Sequence, residues 1–176
     1  FKKQVKRFVF ISTVNVYDYE KVIGKVITEE SPVLSCSAEQ IAEGGLQRSY
    51  GPLYGVLKAE LERIIQSHTD LDSIILRPSV IYGKYDPTDR FYYWLYRLQH
   101  EEKLILPETN YPTSHTFSED FANIIFEAIN MKEHNKVYQV TTHRILPFHD
   151  MIKIAAEVMG SSTKFVPATE AFLEAE

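Results

Sequence analysis

Cysteine is nearly missing: Cys36 is the only one in 176 residues. That excludes an internal disulfide and any cysteine-rich metal site, and it fits a reducing cytoplasm. Positive charge is also short. Lys and Arg number 19 against 24 Asp and Glu, for a net charge of −5, which gives no electrostatic ground for a nucleic-acid or anionic-membrane partner. No apolar run is long enough to span a bilayer, and no signal peptide is visible. Glycine is scarce, seven in all, with none in a G-x-x-G-x-x-G array. There is no Gly-x-Ser-x-Gly elbow, no His/Asp/Glu cluster that suggests a metal, no internal repeat and no low-complexity tract.

What is present reads as an ordinary soluble domain, 44% hydrophobic and 24% charged, with enough chain to bury a core. RFVFIS (7–12) is an apolar, β-branched and aromatic run that predicts a buried strand. Leu53, Leu57, Leu61, Ile64 and Ile65 recur at helical spacing over 53–67. SIILRPSVIYG (73–83) opens with a second buried strand that Pro78 stops. A helix is predicted near 89–100, a short strand over LILP (104–107), an amphipathic helix over 118–131, a strand over 136–142, and a helix over 147–160 closed by Gly160. Residues 38–48 are left open between helix and loop. Strands alternating with helices of this length point to an α/β sheet with mainly parallel strands. FKKQVKR at the start resembles the closing turn of a helix, so the expectation is that further chain precedes Phe1.

The stretch SYGPLYGVLKAELE (49–62) carries the chemistry. Tyr54 and Lys58 are one helical turn apart and project from the same face. A free tyrosine has a pKa of about 10, and lowering it by roughly three units takes about 4 kcal/mol. An ammonium about 4 Å away, at an effective dielectric of about 20, supplies roughly that much. The spacing is therefore sufficient for a tyrosine that exchanges protons near neutrality. The same residues also allow a plainer reading, in which Lys58 forms a surface ion pair with Glu62 at i+4. Tyr50, four residues before Tyr54, has no lysine at the matching place and reads as packing or pocket wall.

Several pieces in the same order resemble the extended short-chain dehydrogenase/reductase superfamily, and within it the NAD-dependent epimerase/dehydratase family. They are VKRFVFISTVNVYD (5–18), YGVLKAELE (54–62), LRPSVIYGKYDP (76–87), SEDFANIIFEAI (118–129) and the closing strand and helix. The resemblance implies an α/β fold, the C-terminal half of a Rossmann-like doubly wound parallel sheet plus a small α/β substrate lobe. It divides the chain into 1–83, with the Tyr-x-x-x-Lys helix, and 84–176, a substrate-binding lobe interleaved with the last sheet strands. It implies NAD or NADP as cofactor, a small-molecule substrate with a sugar-like hydroxyl or carbonyl, and a homodimer through the Tyr-x-x-x-Lys helix. In those terms Tyr54 is the general acid/base. Lys58 lowers its pKa and holds the nicotinamide ribose, and Thr13 hydrogen-bonds the substrate oxygen with Ser12 as its fallback. Pro78, Ser79 and Val80 line the nicotinamide end. Val14, Asn15, Arg90 and His115 are candidates on the substrate side.

The departures from the pattern narrow this reading. The family cradles its dinucleotide in a Gly-rich turn after the first strand, and nothing of that kind is present. The chain therefore reads as a truncated catalytic and substrate-binding portion of an NAD(P)-dependent oxidoreductase or epimerase. The alternative is a catalytically inert cofactor-sensing or scaffold protein, or fragment, of the same superfamily. Val14-Asn15 stands where family dehydratases carry Asp-Glu. Thr113-Ser114 stands where many nucleotide-sugar members carry Arg-Asp. The aromatic run FYYWLYR (91–97) reads as core and lid packing or as an apolar pocket wall.

Overall fold

The computed structural model describes residues 4–44, 51–169 and 171–172. In chain order the elements are β1 (Phe8–Ile11), a 3-10 turn (Val14–Val16), α1 (Tyr19–Val22), α2 (Ala38–Gly44), α3 (Tyr54–Ser67), β2 (Ser73–Pro78), β3 (Val80–Tyr82) and α4 (Tyr92–His100). Then follow β4 (Lys103–Pro107), β5 (Pro112–Thr113), β6 (His115–Phe117), α5 (Ser118–Asn130), β7 (Lys136–Val140), β8 (Leu146–Pro147), α6 (Phe148–Met159) and β9 (Lys164–Ala168). The alternation expected from the periodicity is present, and α2 occupies much of the stretch left open over 38–48. The reading of Tyr50 lies outside the described residues, as do residues 1–3 of the helical turn expected over 1–7; residues 5–7 are not helical.

The chain divides into two compact units, 1–79 with 119–141, and 80–118 with 142–176. The first holds a parallel sheet in the order β1-β2-β7. β2 is the central strand and is buried along its whole length, as its unbroken apolar run Ile74-Ile75-Leu76 requires of a parallel strand covered on both faces. The expectation of a buried strand over 7–12 needs correction. Phe8 is 36% and Ile11 40% exposed, because β1 has a neighbouring strand on one side only among the described residues.

After β1 the chain makes a tight turn and packs beneath α3. Val16, Tyr17 and Ala59 form a buried cluster, joined by Val14, Ile27, Val33 and Leu34. A Tyr17–Val33 bridge holds the returning loop to the turn, supported by Leu34 N donating to Val16 O at 2.8 Å. That loop then reaches β7, where the Glu29 carboxylate accepts the Gln139 amide at 2.8 Å. A side chain thus fills a sheet-edge position that would otherwise stay open.

In the second unit β4 pairs in parallel with β9, β3 with β6, and β5 antiparallel with β8. Its core is Leu98, Leu104, Leu106, Ile152 and Ala156, with Trp94 and Phe148 against it. The aromatic run of α4 therefore splits. Trp94 and Leu98 pack inward, while Tyr92, Tyr93 and Tyr96 stay 47–58% exposed.

Candidate active site

The first unit gathers most of the candidate residues where α3 passes the C-terminal end of β1. The approach is close because residue 55 has no side chain. A Cβ at Gly55 would lie 2.3 Å from Asn15 O, well inside van der Waals contact. Three residues on, the Lys58 ammonium donates to Ile11 O at 2.8 Å. One turn further, the Glu62 carboxylate accepts the Ser12 hydroxyl. The helix thus touches the Ile11–Asn15 segment at three successive turns.

Each expected residue has a definite place. Thr13 is 8% exposed, and its Oγ1 accepts the Asn15 amide at 3.2 Å, capping the 3-10 turn. The Asn15 amide uses one acceptor position and leaves the Thr13 O–H to donate. Ser12 is 2% exposed; its amide donates to Leu76 O at 2.7 Å and its hydroxyl is turned inward to Glu62. Val14 packs into the cluster beneath α3, and Asn15 is exposed. Tyr54 is half-buried, and the Lys58 ammonium lies 5.9 Å from its ring centre and 4.7 Å above the Phe10 ring. Burial pushes the Lys58 ammonium below its ordinary pKa, and the negative Glu62 offsets part of that.

Pro78 ends β2, and Ser79, 7% exposed, donates its amide to Val140 O at 2.9 Å. Val80 begins β3 in the second unit and is 39% exposed. Arg90 and His115 also belong to the second unit. Arg90 is exposed, with Nε on Thr88 Oγ1 at 2.8 Å. His115 lies edge-on to Tyr82, ring centres 5.8 Å apart, and burial lowers its pKa. Among the described residues no group of His, Cys, Asp and Glu could hold a metal ion, and no helix is long and apolar enough to cross a membrane.

Glu62 and Arg77 are the residues that sequence reasoning missed. Glu62 is no surface partner of Lys58: it is 2% exposed, and its carboxylate is gripped by the Arg77 fork, with Nη2 at 2.6 Å and Nε at 3.1 Å. Arg77 is 4% exposed and also donates to the Tyr17 hydroxyl and to Glu29 O, both at 3.0 Å. The signal was available. Arg77 interrupts an otherwise apolar buried strand, and a buried guanidinium demands a buried carboxylate. Glu62 shares the i, i+4, i+8 face with Tyr54 and Lys58.

The sequence model of the NAD dependent epimerase/dehydratase family matches residues 1–141. The chain belongs to that family. No curated protein matches it by sequence. Solved structures resemble it in fold. The RMD protein of Pseudomonas aeruginosa, complexed with NADPH, aligns with a TM-score of 0.70 at 15% identity over 93% of this chain and 54% of its own. A UDP-N-acetylglucosamine 4-epimerase from Bacillus cereus gives 0.71 at 16% identity, over 92% and 52%. A dTDP-glucose 4,6-dehydratase from Bacillus anthracis, in complex with NAD, gives 0.68 at 19% identity, over 93% and 50%. At these identities the likeness establishes the fold, a Rossmann-type α/β arrangement. This family member spans about half the length of those proteins.

Proposed function

We propose that the chain carries the proton-transfer portion of an NAD(P)-dependent oxidoreductase or epimerase that acts on a hydroxyl or carbonyl of a sugar-like substrate. Family membership supports the class. The observation that carries the assignment of residues is the passage of α3 across Ile11–Asn15, with Gly55 against Asn15 and Lys58 at the strand end.

Tyr54 exchanges the proton with the substrate oxygen. Lys58, beside its ring, favours the phenolate by its charge, and a partly desolvated ammonium does so more strongly than one in water. Thr13 donates its free O–H to the same oxygen and fixes its position. Lys58 and Tyr54 fit the ribose and nicotinamide end of a dinucleotide, with Pro78, Ser79 and Val80 beside it. The nicotinamide, when bound, gives or takes the hydride. The seven glycines stand at 24, 44, 45, 51, 55, 83 and 160, and none forms a Gly-rich phosphate cradle, so that part of the site must come from other sequence. Arg90 and His115 are assigned to the substrate side. Exposed Ile41 of α2 and Leu61 and Ile64 of α3, each 43–46% exposed, support a homodimer through these helices. The single Cys36, unpaired, accords with a cytoplasmic setting.

The test uses protein expressed from its whole gene. Millimolar NAD(H) or NADP(H) should raise its melting temperature as binding to the folded state requires. Tyr54→Phe should then abolish turnover of sugar substrates and leave that shift intact. A folded protein with no shift for either cofactor overturns the reading in favour of an inert member. Unchanged turnover in Tyr54→Phe removes Tyr54 from its role.

A further inference from the structure

Burying an ion pair is expensive, and apolar residues of similar size often stabilise a core as well or better. The Glu62–Arg77 pair, 2% and 4% exposed, therefore calls for an account other than stability. Its geometry supplies one. Glu62 Oε1 accepts the Ser12 hydroxyl as well as Arg77 Nε, while Oε2 takes Arg77 Nη2 at 2.6 Å. The carboxylate is thus held in one orientation by a planar fork. Ser12 is pinned from two directions, by this carboxylate and by its own amide on Leu76 O. The next residue is Thr13. On the helix side, Glu62 stands one turn beyond Lys58 on the same face, and its negative charge favours the Lys58 ammonium.

We propose that Glu62 is a positioning residue: one carboxylate locks the Ser12 turn that presents Thr13 and sets the electrostatic environment of Lys58. The proposal deepens the reading of Tyr54, Lys58 and Thr13 as a proton-transfer site and rests on it. Among the elements packed against α3, β2 brings Arg77 behind Glu62, the 3-10 turn brings no charge, and α2 brings Glu39 and Glu43, both exposed. Glu62 is thus the buried negative charge that these elements and α3 itself bring to the Lys58 face.

The two roles come apart by substitution, and both can be read without cofactor or substrate, so a failure of cofactor binding leaves this test standing. Glu62→Gln keeps an oxygen for Ser12 and removes the charge. Lys58 acylation at a fixed pH below its titration should speed up about threefold, as an ammonium losing a nearby anion gives up its proton more readily. The amides of Asn15 and Tyr17, which donate to Thr13 Oγ1 and Val14 O in the turn, should stay protected from hydrogen exchange. Glu62→Asp keeps the charge and shortens the reach, so the same amides should exchange about five- to tenfold faster, the worth of one hydrogen bond, with Lys58 reactivity close to that of the parent. A purely structural ion pair would lower stability in both variants and move neither readout selectively, and that result overturns the proposal. Should Glu62→Gln fail to fold, Ser12→Ala leaves the ion pair intact; faster exchange at Asn15 and Tyr17 supports the turn-locking role, and unchanged exchange overturns it.

Discussion

Gly55 shows how one residue sets the distance between helix and turn. Gly55 lies in the first turn of α3, where replacing glycine with alanine gains less than the roughly 1 kcal/mol of a helix interior. Here the new Cβ would sit 2.3 Å from a backbone carbonyl, Asn15 O, which cannot swing away as a side-chain tip could. Forcing α3 and the turn apart costs about 1–3 kcal/mol beyond the propensity gain, so Gly55→Ala should be net destabilising in urea denaturation. It should also loosen the turn that holds Thr13; a stabilised variant would mean that α3 does not lie this close. At this scale the sequence was partly legible. Tyr54 and Lys58 declared themselves by spacing on one helix face. Glu62 did not, because its partner Arg77 comes from a strand, and periodicity on a helix carries no information about what lies opposite it.

At the scale of elements, ends are held by identifiable groups. α6 closes at Gly160 with φ +64°, and a Cβ there would meet nothing within 4 Å. Gly160→Ala should therefore cost only the left-handed backbone penalty, about 1 kcal/mol, and a larger loss in thermal denaturation would reveal a contact that the geometry does not contain. The C-terminal end of α5 is held by Arg7, whose Nη1 donates to Ala128 O at 3.0 Å and Met131 O at 2.7 Å. Its Nε binds Asp72 at 2.9 Å, and His134 Nδ1 lies 3.0 Å from the same carboxylate oxygen. Burial raises the Asp72 pKa, but hydrogen bonds and charges from Arg7 and His134 overcome it and hold the carboxyl below its ordinary value of 3.8. A carboxylate depressed on folding contributes stability above its unfolded pKa and loses it as pH falls through the folded value. The urea midpoint should thus drop on acidification below about pH 4, and Asp72→Asn should flatten that part of the curve; an unchanged slope would remove Asp72 as its source. None of this clamp was visible in the sequence, since Arg7 and Met131 are joined only by folding. The order of the longer elements β1, α3, β2, α4, β4, α5, β7 and α6, by contrast, follows from local periodicity and was readable. The short elements α1, β3, β5, β6 and β8 were not, because two to four residues carry no period, and neither was β9, whose run Pro167 breaks.

Over the whole first unit, the two edges of the sheet are treated differently. At β7 the Glu29 carboxylate takes the Gln139 amide. At β1 the amides of Phe8 and Ser12 donate to Asp72 O and Leu76 O of the neighbouring segment at 2.9 and 2.7 Å. By the alternation of a strand, the Val9 and Ile11 amides face the other way, where no strand pairs among the described residues. The Lys58 ammonium occupies the Ile11 carbonyl on that side. An edge of this kind is a template for a further parallel strand, which agrees with a chain that spans about half of the proteins it resembles. The sequence pattern could not reveal this, since RFVFIS reads the same whether one neighbour or two lies beside it. Hydrogen exchange followed residue by residue gives the measurement. Phe8, Ser12 and Gln139 should exchange slowly and Val9 and Ile11 quickly in the chain alone. In protein made from the whole gene, Val9 and Ile11 should slow by about a hundredfold or more if a strand pairs there, since slowing then requires that pairing to open. Protection of Val9 and Ile11 already in the chain alone would show that this edge is covered by the chain itself.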